Sequence, residues 1–137
     1  MSRFSYAPGA LAALLAAGPI GIAILSVGSM LFDAGPAAFD WRTIPAMLAL
    51  AVIAVPIGMI VAGLPILLGG YGLGRIGLTY FRSRHPLYWV ATGAVVGAMI
   101  EMALFGAIPV ALALFALNGG LCALIVRYGT RWSDDDA

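Results

Sequence analysis

Glu101 is the only ionisable residue well inside a long apolar stretch of this sequence. A carboxylate in such surroundings must face the protein interior, pair with a cation or polar group, or carry a proton. Gly93, Gly97 and Glu101 are spaced four apart, so on a helix they share one face. The two glycines form a small-xxx-small pattern that lets a second helix approach closely. Glu101 therefore points at whatever packs on that seam, and the candidate partners are Arg42 and Asn118. Two chemistries fit: a proton or cation site in a small transporter, or a structural pair with Arg42 that fixes helix register. The structural pair is the expectation.

The other candidates carry less. Asn118-Gly119-Gly120 reads as one interhelical hydrogen bond beside a close-packing patch that includes Gly120. A broken helix lining a site is its alternative. Gly72 to Gly77 form a nominal GxGxxG, but a dinucleotide site needs a preceding strand and an acid about 20 residues on. The only acid near that distance is Glu101, within an apolar span, so the match is dismissed. Arg75, Arg82 and Arg84, with Tyr80, Phe81 and His85, form a basic-aromatic cluster suited to an anionic membrane surface. Topology-setting arginines would look the same. One His and one Cys, His85 and Cys122, do not make a structural zinc site. No nucleophile stands beside a base and no carboxylates are paired, so neither an enzyme, a metal nor a cofactor is expected.

Composition sets where these residues must sit. Of 137 residues, 63% are hydrophobic and 9% charged, against roughly 45–50% and 25% in soluble domains. A soluble fold of this size could not hide so much apolar surface. The net charge is +1 and all seven basic residues are scattered arginines, which removes the footprint of a nucleic-acid binder. The fold class is thus an all-α membrane protein, a four-transmembrane-helix bundle with no soluble domain.

Charges divide the chain into spans of about 20 apolar residues, enough for roughly 30 Å of hydrocarbon. The reading places helices at 10–32, 45–68, 87–105 and 109–127, a cytoplasmic mobile loop at 69–86 and an acidic tail at 128–137. The last two helices divide at Gly106 and Pro109, a stop and a start signal. With the N-terminus inside, Arg3, Arg75, Arg82, Arg84, Arg127 and Arg131 lie on one side and Arg42 on the other. That asymmetry puts both ends in the cytoplasm, and Trp41, Trp89 and Trp132 fall at span ends, as interfacial rings do. A signal peptide cleaved near Ala34–Ala38 is disfavoured, because the first apolar stretch exceeds the 7–15 residues of a signal core. Pro19-Ile20-Gly21 and Pro56-Ile57-Gly58 recur at similar depth and are taken as coincidence rather than duplication.

Neither of two small families of this size fits. Small multidrug resistance transporters carry their membrane carboxylate in the first helix, whereas Glu101 is in the third. Gly119-Gly120 with Arg127-Tyr128 echoes a fluoride-channel pattern, but in the last helix rather than the first. The expected role is an accessory or scaffolding subunit in a bacterial inner membrane, packing on other membrane proteins or on itself through Gly93, Gly97 and the small face Ala113, Ala116, Gly120, Ala123. The alternative is a homo-oligomeric proton- or cation-coupled transporter or channel using Glu101.

Overall fold

The computed structural model describes residues 4–32, 42, 44–106 and 108–132. Arg3, Asp33, Asp40, Trp41, the Ala34–Ala38 patch and the acidic residues Asp134, Asp135 and Asp136 lie outside them. Four helices dominate: α1 (Ala7–Phe32), α2 (Ile44–Thr79), α3 (Pro86–Phe105) and α4 (Pro109–Gly129). All four are long and apolar enough to cross a membrane. Two short strands, β1 (Phe4–Ser5) and β2 (Arg131–Trp132), pair antiparallel with Phe4 opposite Trp132. The described ends of the chain therefore meet at one end of the bundle.

Local chemistry sets the helix limits. α3 and α4 both start on a proline in the first turn, where the missing N–H costs nothing and φ is already helical. The His85 imidazole caps α3 by accepting from the Leu87 N–H through Nδ1 at 3.3 Å. Gly106 ends α3 with φ +82°, the one positive φ among the described residues. A side chain is strained there, so the glycine makes the reversal into α4.

α2 departs from expectation. It does not give way to a loop at residue 69 but continues to Thr79, and a 3-10 turn, Phe81–Arg84, follows. At 1.5 Å per residue its 36 residues are about 54 Å long, well beyond the roughly 30 Å a bilayer core requires. Glycine costs a helix about 1 kcal/mol relative to alanine, and here packing offsets that cost. Gly63, Ile66, Gly70, Gly74 and Gly77 form one buried face. A Cβ on Gly70 would press on Tyr6 and Val126 at 3.1 Å, and one on Gly77 on the Trp132 indole at 2.9 Å. The nominal GxGxxG is thus helical seating for the aromatic residues of the chain ends.

α1 packs on α2 and α4, and α4 on α3, whereas α2 and α3 scarcely touch. The helices follow the order α2–α1–α4–α3, open between the outer two. Each of the three interfaces includes a close glycine pair. A Cβ on Gly58 would stand 2.7 Å from the Gly18 Cα, and one on Gly9 2.9 Å from the Gly129 Cα. On the third, a Cβ on Gly93 would stand 2.9 Å from the Gly119 carbonyl carbon. Gly18 precedes Pro19 and Gly58 follows Pro56, so the recurring Pro-Ile-Gly segments lie at the α1–α2 crossing.

These contacts predict a contrast. Gly93→Val should destabilise the bundle by about 1–3 kcal/mol, the usual cost of overpacking, because its nearest obstacle is backbone. Gly72→Ala, with nothing within 4 Å of the added methyl, should be neutral or gain up to about 1 kcal/mol. Thermal melts of the two variants in one mild detergent check this.

Candidate functional site

Three places hold polar chemistry. The first is Glu101. Its α3 face carries Gly93 and Gly97, which meet α4 at Gly119, Ala123 and Phe115. The seam expected to receive a partner is therefore filled within the chain, with Gly120 buried against Val90 and Ala94. Ala116 and Ala123 also face α3, and Ala113 is exposed. One turn beyond Gly97, Glu101 is 0% exposed, and neither carboxyl oxygen has a hydrogen-bond partner among the described residues. The expected pair with Arg42 does not form. Arg42 is exposed just before α2, and α2 scarcely touches α3.

The second is the opening between α2 and the α3–α4 pair, a cleft of about 110 Å³ lined by Ala62, Pro65, Gly69, Gly93, Gly119 and Asn118, among others. Asn118 does not reach Glu101 either. Its Nδ2 donates to the Ala17 carbonyl of α1 at 3.5 Å, and Cys122 Sγ lies 3.9 Å from its Oδ1. α4 passes unbroken through Asn118-Gly119-Gly120, so this is an interhelical tie with a polar edge on the cleft. Cys122 is buried.

The third lies where α3 begins and α4 ends, and sequence reasoning found only part of it. Trp89 and Trp132, each 1% exposed, stack edge-to-face at 6.5 Å. Trp132 Nε1 donates to the Gly74 carbonyl at 3.3 Å and Trp89 Nε1 to the Ser83 carbonyl at 3.0 Å. The Trp132 ring carries two guanidinium groups, Arg84 at 5.0 Å and Arg127 at 4.7 Å from its centroid. Arg84 Nε donates to the Gly77 carbonyl at 2.9 Å, and Arg127 Nε donates to the Arg84 carbonyl. Arg84 is only 8% exposed. A pocket of about 540 Å³ opens beside them, lined by Phe81, Arg82, Arg84, His85, Pro86, Tyr88 and Arg127. Arg75 is elsewhere, exposed on α2 and donating to the Tyr71 hydroxyl at 2.8 Å, so the basic cluster divides. Arg82 and Arg84 join Arg127 instead. Only an arginine in the last turn of α4, with a tryptophan shortly after it, hinted at this.

No group of His, Cys, Asp and Glu that could hold a metal occurs among the described residues. The fold and these features define a multi-pass helical membrane protein. No family model matches the chain, and no curated protein or solved structure matches it.

Proposed function

We propose that the protein is a non-enzymatic subunit of a bacterial inner membrane, with both ends cytoplasmic, that packs on the transmembrane helix of another membrane protein or of a second copy. The arginine asymmetry supports the orientation, since Arg75, Arg82, Arg84, Arg127 and Arg131 follow or precede span ends on one side. The observation that carries the role is the open side of the bundle. The cleft between α2 and α3–α4 is lined on the α2 side by Ala62, Pro65 and Gly69, and small residues let a further helix approach closely enough for van der Waals packing in lipid. The Gly93/Gly97 seam itself is occupied by α4, so the docking face moves from there to the cleft.

Gly69 supplies the test. It lines the cleft and has nothing within 4 Å of an added Cβ, so a side chain there starts in open space at the opening. Mild extraction from native membranes, a native gel and mass spectrometry of the band should show a stoichiometric complex or homo-oligomer. Gly69→Phe should run as the monomer with its melt intact. A wild-type chain that runs as a monomer overturns the proposal.

A second reading, a homo-oligomeric proton- or cation-coupled transporter, is favoured by one observation, the full burial of Glu101 without a hydrogen-bond partner among the described residues. Reconstituted wild-type protein would then show an ion flux that Glu101→Gln abolishes.

A further inference from the structure

We infer that the pocket formed by Arg82, Arg84, His85, Tyr88 and Arg127 binds the phosphate headgroup of an anionic phospholipid. Among the described residues, three arginines and a histidine contribute to its lining and no acidic residue does. Guanidinium groups match phosphate oxygens in geometry and charge, with two parallel donors each. Basic pockets between membrane helices are recurrent headgroup sites.

Two of the arginines are set in place before any ligand arrives. Arg84 is held through Nε by the Gly77 carbonyl and lies between the Phe81 and Trp132 rings, 5.0 Å from each centroid. Arg127 is held through Nε by the Arg84 carbonyl, 4.7 Å from the centroid of the same Trp132 ring. Groups fixed in this way lose little freedom on binding, which is how preorganisation raises affinity. The volume, about 540 Å³, suits a headgroup with its glycerol backbone rather than a bare ion, given that organic ligand sites run from roughly 300 to 1,000 Å³.

The surroundings favour a lipid over a dissolved phosphate compound. The pocket sits at a helix end beside Tyr88, which is 55% exposed, at the level where amphipathic rings meet headgroups. From Tyr88, the exposed residues Val95, Met99 and Met102 continue along α3 at helical spacing. They form an apolar track on which acyl chains lie while the phosphate stays with the arginines. This site is separate from the cleft and from Glu101, and does not depend on the subunit role.

The test uses the full chain in a neutral detergent, titrated with phosphatidylglycerol, phosphatidylcholine or inorganic phosphate, and read by native mass spectrometry and thermal melts. Phosphatidylglycerol should give a one-lipid adduct and raise Tm, whereas phosphatidylcholine should do neither. Losing one charge-assisted contact should weaken that adduct about tenfold or more. Arg82→Gln removes an exposed member of the pocket without touching the buried stack, and Arg127→Lys keeps the charge but not the paired donors, so both are expected to fold. Arg75→Gln, outside the pocket, should bind as wild type does. Equal binding of the two lipids, an adduct indifferent to Arg82→Gln and Arg127→Lys, or an equal Tm rise with inorganic phosphate alone would each overturn the proposal. The last would identify a site for free phosphate.

Discussion

Trp132→Ala is expected to cost the protein about 3–5 kcal/mol, the range for removing a fully buried tryptophan, and to lower its detergent Tm more than any other single aromatic truncation. Four independent attachments converge on this ring. It stacks on Trp89, donates to the Gly74 carbonyl and carries the guanidinium groups of Arg84 and Arg127. The aromatic pair alone is worth about 0.5–1.5 kcal/mol beyond its buried area. The consequence is also spatial: Trp132 lies in β2, which holds β1 and covers Gly77 of α2. Truncation therefore uncovers the glycine face of α2. The last turns of α2, rich in glycine, should fray, and amide exchange from 70 to 79 should accelerate while α3 and α4 stay protected. Trp132→Phe should recover much of the stacking but not the bond to Gly74. A Trp132→Ala variant with wild-type Tm and exchange would show that the α2 extension is held by something other than the clasp.

That extension marks where sequence reasoning ran out. The spans were legible because charges are scarce and punctuate the apolar stretches, and the α3–α4 break because Gly106 and Pro109 mark a stop and a start. The run Gly69–Gly77 was misread because glycine propensity argues for a loop. Its helical signal was present in the 70, 74, 77 spacing, but a glycine face has value only if something large covers it. What covers it, Phe4, Tyr6 and Trp132, comes from the two ends of the chain, more than fifty residues away in either direction. The Arg84–Arg127–Trp132 stack was hidden for the same reason, since each local sequence reads as an ordinary span end. Asn118 was legible as an interhelical tie, though its acceptor, the Ala17 carbonyl, was not. The Gly93–Gly97–Glu101 face was legible as a packing seam, but spacing on one helix does not say which helix arrives. The arrival of α4 from the same chain removed the expected partner surface, and no pair of Glu101 with Arg42 forms.

That leaves Glu101 as a cost that the described residues of the fold do not offset. Glu101→Leu is expected to stabilise the isolated protein by about 2–4 kcal/mol, because burying a polar group without a hydrogen bond costs on that order and leucine removes the group at similar volume. Glu101→Gln should be close to neutral, since it keeps polar atoms in the same unpartnered place. Melts of the three proteins in one detergent give the ranking. A fall in Tm with Glu101→Leu would mean that the carboxyl has a favourable partner in the protein as extracted, from a bound cation or from another chain. The same variants divide the two functional readings. A subunit whose work is packing tolerates Glu101→Leu, gains stability and keeps its complex. A coupled transporter gains the same stability and loses its flux, the exchange of stability for activity expected where a costly buried group is retained for function. Flux measured beside stability and assembly on Glu101→Leu therefore decides whether the carboxyl is a tolerated burden or the working group of the molecule.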